Sequence, residues 1–499
     1  MNRKEALKIY KDTYRKLNAY ELVLSTTYYD KLTVAPKKGS KYCNEALAYM
    51  QGEVFSITTA PEFVEAVKIL SKEDLGEVMN RDVKLTMKSL EDIIKFSKEE
   101  TMEWSLLQME GNDAWEKAKH SDDYGMFEPY LLKLIDKSKE RAKKRNPNID
   151  SYDLYLDDFE EGMNKKKYDE FFDLVKKELL PLIKEVNSRQ DKIDDSFLYK
   201  YYPKDRQEKF MAELNKYLGF DKSWGYMGET EHPFTNGISK NDCRIATNYQ
   251  EYNITSCIFS IIHEVGHAYY EHQVDGKYEG MMVKRMISSG MHESQSRFLE
   301  NYMGRRASFW KKLYPLLQKQ FPENLGDVSL EDFVKAINVS RSSLIRTEAD
   351  ELTYPIHILI RYEIEKGIYD GSISTKDLNV TWKKMYKEYL GVDVPNETMG
   401  ILQDIHWSDA SFGYFPTYAL GSAIGAQILH KMEKDIDVDD CLSKGKIKTI
   451  TNYLRNNVQK YGAMYDYNTI LKMATGETFK PKYYISYLKN KYKELYGIR

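Results

Sequence analysis

Cysteine is scarce in this chain: there are four in 499 residues, at positions 43, 243, 257 and 441, with no C-x-x-C pair. That excludes a disulfide framework and a cysteine-ligated metal site. No run of 18 or more apolar residues exists, and the opening MNRKEALKIYKDTYRKL reads as an amphipathic helix without the apolar centre of a signal peptide. The expectation is a cytoplasmic protein with no membrane partner. An excess of one charge is also missing. The 74 Lys and Arg against 77 Asp and Glu leave a net charge of −3, so no basic field recruits nucleic acid. Proline (13) and glycine (27) are few, and no repeat, linker or low-complexity segment stands out. With 42% apolar and 30% charged residues, the chain reads as mainly α with a sizeable core. It reads as one domain over 1–499, a helical part to about 220 followed by a second part.

Histidine is rare too, nine in all, yet three of them fall in residues 258–273, IFSIIHEVGHAYYEHQ. His263, Glu264 and His267 have the spacing H-E-x-x-H. Positions four apart share one face of a helix, so both imidazoles can point at one spot. Two neutral ring nitrogens suit Zn²⁺, and Glu264, turned slightly aside, can address a metal-bound water. Ile258, Ile261, Ile262, Val265 and Ala268 supply an apolar wall around the polar trio. Gly266 costs about 1 kcal/mol of helix propensity, so it is expected to make room for a neighbouring element. A chance match to a short pattern is the alternative, and a third ligand decides between them.

That ligand is expected to be an acid on a second helix. Glu293, in MHESQSR, stands 26 residues after His267 and completes the two-His-one-Glu set that leaves a position for water. His292 is its competitor. Neighbours on a helix point about 100° apart, so only one of the two can face the metal.

Around these residues, helical patterns run from 5 to about 24, 42–70, 72–118, 166–190, 203–218, 290–305 and 343–366. Pro355 implies a kink in the last of these, or a new helix with proline in its first turn. Residues 28–39 break the first pattern, and 400–421 is turn-rich. The basic run RAKKR at 141–145 is read as a solvated turn. Between 221 and 249 glycines interrupt the periodicity, and CRIAT (243–247) has strand character. A small sheet there could offer an edge strand to an extended peptide. Forty tyrosines fit either a lined groove or a compositional bias.

HEVGHAYYEHQ followed by HESQSR resembles the carboxypeptidase Taq family, zinc metallocarboxypeptidases of the thermolysin-like superfamily. Further segments match its motifs: His232-Pro233-Phe234, Asp242-Cys243-Arg244-Ile245, Ile345-Arg346 with Ala349-Asp350, and Gly400-x-x-Gln403-Asp404-x-His406-Trp407. YYDKLTVAPKKG, GNDAWEKAKH and YLDDFEEGM extend the likeness over nearly the whole chain. The resemblance implies a mostly helical fold with a small sheet beside a deep groove, a homodimer, and release of single residues from peptides with a free C-terminus. One zinc per chain is implied, with Co²⁺ or Mn²⁺ as possible substitutes. Where the family reads D-x-R-x-T, this chain has Ala246, then Thr247; the hydroxyl is lost or is supplied by Thr247.

In that frame Glu264 is the proton carrier, and His406 and Tyr418 are candidate oxyanion donors. Arg346 is the candidate anchor for the α-carboxylate, because a guanidinium forks around one. His232, Arg244 and Tyr414 are candidate substrate contacts. Each has a plainer alternative. Arg346 could pair with Asp350, His406 could be a core histidine, Tyr414 could replace Tyr418, Arg244 could brace the sheet, and His232 could serve a turn. His272 is read as a surface residue. Two other functions stay open: an oligopeptidase cutting internally, and an inactive peptide-binding scaffold. An aminopeptidase is disfavoured, since no G-x-M-E-N segment precedes the H-E-x-x-H stretch.

Overall fold

Asn2 and Ser97 start helices by the same device. Each side chain accepts the amide of a glutamate three residues on, and that glutamate's carboxylate accepts the cap amide in return. Such a capping box satisfies two amides that a helix start leaves bare. At Ser97 it divides the expected 72–118 helix into Glu77–Ile94 and Lys98–Ser121. Pro61 does the same to 42–70, starting Pro61–Leu70 after Ser40–Thr58.

The computed structural model describes residues 1–189, 192–285 and 288–499. Among these are 22 α-helices and one three-stranded sheet. The apolar core is one cluster running from Ala6 to Ile498, and most tyrosines serve it; Tyr152, Tyr168, Tyr202 and Tyr302 are fully buried. The first helix, Arg3–Thr33, runs nine residues past its expected end. Tertiary contact explains this: the Tyr29 ring lies 5.7 Å from Phe234, and its hydroxyl donates to the Ile245 carbonyl at 2.8 Å. The helix 166–190 is found as Lys165–Asn187, and position 190 lies outside the described residues.

Two more expectations change. The basic run at 141–145 ends the helix Glu128–Arg145 rather than forming a solvated turn. Arg141 lies over Phe96 at 3.8 Å, and Arg145 is paired with Asp158 at 2.6 Å. Residues 343–353 are not helical beyond a 3₁₀ turn at Arg346–Glu348; the helix is Tyr354–Asp370, with Pro355 in its first turn. The Asp350 carboxylate is the cause. It accepts the amides of Arg341, Leu352 and Thr353, which fixes a loop in place of a helix.

The sheet consists of β1 (Gly225–Glu229), β2 (Phe234–Ser239) and β3 (Asp242–Thr247), in the order β1-β3-β2. The CRIAT segment is β3, parallel to β1 and antiparallel to β2. Behind it lies the histidine helix, Ile254–Gln273, started by Asn253 accepting the Thr255 amide and buried along most of its length. The glutamate helix, Ser289–Arg297, crosses it at very close range and continues as a π-helical segment, Phe298–Met303. A Cβ on Gly266 would stand 2.5 Å from the Ser296 Cα, so glycine is what permits the crossing. On the far side the helix Pro416–Asp435 presses on Glu293 through Gly421, where a Cβ would come within 2.8 Å of the Glu293 Cβ.

Candidate metal centre and substrate cavity

These two glycine contacts hold the three expected ligands around one point. His267 Nε2 lies 3.4 Å and His263 Nε2 lies 3.7 Å from Glu293 Oε2, with all three ligand atoms within 4.8 Å of one another. A tetrahedral ion with bonds of about 2.1 Å has ligand atoms about 3.4 Å apart. Two imidazoles and a carboxylate at this spacing therefore fit a divalent metal of the zinc type. Two of the three also have fitting charge states, while His263, which burial alone would lower, is pushed up by Glu293 and Glu300. Burial, with His292 alongside, pushes His267 down to about 3, leaving it neutral. Burial would raise Glu293, but Arg297 and the two imidazoles hold it well below the usual carboxylate range.

A set of groups outside the trio fixes their orientation. His263 Nδ1 meets Glu300 Oε2 at 2.8 Å, and Arg297 donates to Glu293 Oε1 at 2.8 Å and to Glu300 Oε2 at 3.1 Å. A carboxylate on the far ring nitrogen sets the tautomer and raises the ligand's basicity. Glu300→Gln is accordingly expected to weaken metal binding about tenfold without unfolding the chain, as read by chelator competition. His292 turns away: it stacks on His267 at 4.3 Å and faces Glu271 at 3.2 Å.

The trio lines a cavity of about 1020 Å³. Glu264 lines it too, 7% exposed. Thr235 of β2 donates to its Oε2 at 2.6 Å, leaving Oε1 for a proton. Burial raises the pKa of Glu264, against His263 and Thr235, which lower it. Arg346 stands in the same cavity. Its partner is Asp404, at 2.9 Å from Nε and 2.8 Å from Nη2, and not Asp350. Asp404 is shared with the fully buried Arg361, whose Nε donates to it at 2.7 Å. Two guanidiniums on one carboxylate leave a net positive charge at the cavity wall.

Tyr414 and Tyr418 both line the cavity. His406 does not; it stands behind Tyr418, with Nε2 3.3 Å from the Tyr418 hydroxyl, and burial pushes it down to about 4. His232 is exposed at the bend before β2, while Pro233 and Phe234 reach the cavity. Arg244 is forked onto Asp242, with Nε at 2.9 Å and Nη2 at 2.8 Å, and lies over Tyr29. It braces the sheet, as strand residues two apart share a face. Thr247 does not stand in for the hydroxyl missing at Ala246, because it alternates to the other face and is fully buried. His272 is half-buried rather than a surface residue: it stacks on Trp224 at 4.2 Å, and its Nδ1 meets the Lys240 carbonyl at 2.7 Å.

Thr235, Arg297, Glu300 and Asp404 were not singled out for roles in the site by sequence reasoning. For two of them a signal existed: Glu293, Arg297 and Glu300 are spaced i, i+4, i+7, one face of a helix.

Comparison with known proteins agrees with this geometry. The family profile of carboxypeptidase Taq (M32) metallopeptidases matches residues 9–492. Carboxypeptidase 1 of Bacillus subtilis (strain 168) is 38% identical over 488 residues, 97% of each chain. Thermostable carboxypeptidase 1 of Thermus thermophilus is 32% identical, covering 94% of each. The solved structure of the Pyrococcus furiosus carboxypeptidase superposes with a TM-score of 0.94 at 32% identity, over 99% of both chains. With sequence and fold matched nearly end to end, the chain belongs to the carboxypeptidase Taq (M32) family of metallopeptidases and is a metallocarboxypeptidase.

Proposed function

We propose that this metallocarboxypeptidase uses zinc to release single residues, with broad preference, from peptides with a free C-terminus. One observation carries the reading: Arg346, backed by Asp404 and Arg361 in a cationic cluster, lines the same cavity as the three ligand residues. An exopeptidase needs both in one groove; an enzyme cutting internally has no use for the cation. A divalent metal held by His263, His267 and Glu293 supplies Lewis acidity to a water and to the scissile carbonyl. Glu264 takes the proton of the attacking water on Oε1 and passes it to the leaving amine. The Tyr418 hydroxyl donates to the oxyanion that develops on the carbonyl, and His406 orients that hydroxyl from behind. Arg346 grips the terminal carboxylate. The set of two imidazoles and one carboxylate, with its tetrahedral spacing, supports zinc, with Co²⁺ or Mn²⁺ as substitutes.

The reading includes one catalytic unit, supported by the unbroken apolar cluster, and a cytoplasmic homodimer. All four cysteines are free, which suits a reducing compartment, and sedimentation velocity tests the dimer. The function is tested by metal analysis with mass spectrometry of a digested peptide. The expected result is one zinc per chain and a ladder of single-residue losses from the C-terminus. Internal fragments instead would favour the oligopeptidase.

A further inference from the structure

We propose that Tyr354 sets the distance between the metal centre and the terminal-carboxylate site, and is that site's second hydrogen-bond donor. The proposal rests on the reading of Arg346 as the anchor. Tyr354 lines the cavity and is 5% exposed. On one side of its ring lies Arg297, with Cζ 4.4 Å from the centroid; this is the guanidinium that donates to Glu293 Oε1. At its other end, Arg346 Nη1 donates to the Tyr354 hydroxyl at 3.3 Å. One phenol therefore joins the metal ligand's ion pair to the carboxylate anchor. It is a stiff link. A tyrosine has two side-chain torsions, this one precedes Pro355 at the start of a helix, and its ring meets Tyr418 edge-on at 6.4 Å.

The hydroxyl accepts from Arg346 and so keeps its own proton to donate. Among the described residues no acceptor takes that proton. A carboxylate gripped by Arg346 has a second oxygen, and Tyr354 is placed to serve it. A terminus held by both groups presents its last peptide bond at a fixed distance from Glu293. In this way the enzyme counts one residue.

The test uses the full-length enzyme with matched peptides, free-ended and C-terminally amidated. Tyr354→Phe keeps the ring against Arg297 and removes only the hydroxyl. It is expected to raise KM for the free-ended peptide about tenfold, with kcat within about twofold, metal content unchanged and the amidated peptide unaffected. In metal-free protein, calorimetric titration with a free-ended dipeptide is expected to weaken by the same factor. Tyr354→Leu, which loses the stack as well, is expected to release dipeptides alongside single residues. An unchanged KM in Tyr354→Phe, while Arg346→Ala abolishes the preference for free ends, would overturn the proposal and leave the anchor standing. Retention of that preference in Arg346→Ala would remove the anchor, and this inference with it.

Discussion

Glu264→Gln is expected to keep its metal and lose at least about 10³ of kcat. The change is isosteric, so the Thr235 contact, 2.6 Å from Oε2, can be kept by an amide oxygen. The ligands on either side are not disturbed, because His263 is oriented by Glu300 and Glu293 by Arg297. What disappears is the basic Oε1 that Glu264 presents to the cavity beside the ligand trio. Burial raises the pKa of Glu264 above its ordinary value, and a base moved toward neutrality both takes a proton from the attacking water and gives it up to the amine. Single-turnover rates on a metal-loaded variant, with metal measured on the same sample, separate loss of chemistry from loss of the ion. Near-normal turnover at full metal content would take Glu264 out of the reaction.

The contrast between Glu264 and its neighbours shows which parts of the site were legible in the sequence. His263, Glu264, His267 and Glu293 are recognisable because the helix repeat relates them, or because the chemistry requires an acid nearby. Gly266 is readable as a gap, since a residue that costs helix stability inside an apolar helix needs a reason, and here the reason is the Ser296 backbone. Thr235 and Asp404 are not readable in this way. They reach Glu264 and Arg346 across 29 and 58 residues, and no periodicity relates a strand residue to a helix or a loop aspartate to a distant turn. The same limit explains Asp350. From spacing alone it is the natural partner of Arg346, yet its oxygens are taken up by the amides of its own loop. It also explains the expected 343–366 helix, whose pattern was apolar enough but whose first half is held open by side-chain bonds to backbone.

Arg346→Ala is expected to raise KM for free-ended peptides about 100-fold, the loss of a charge-assisted fork worth roughly 3 kcal/mol, and to leave C-terminally amidated peptides unchanged. The fold should survive the substitution. Asp404 keeps Arg361, with Nε at 2.7 Å, and Gln403 keeps its bond to Arg361 Nη2 at 2.9 Å; the carboxylate is not left buried and alone, which is the usual cost of removing one partner of a buried pair. Arg346→Lys retains the charge and loses the two-pronged geometry, so its KM should fall between those of the wild type and alanine. A merely structural role for the Arg346–Asp404 pair predicts something else: both substrates would suffer alike, and the melting temperature would drop with them. The ratio of free-ended to amidated kcat/KM is therefore the deciding quantity. If the wild-type enzyme cleaves amidated peptides as well as free ones, the cation at this wall does not hold a carboxylate, and the exopeptidase mechanism loses the contact that separates it from an internal cutter.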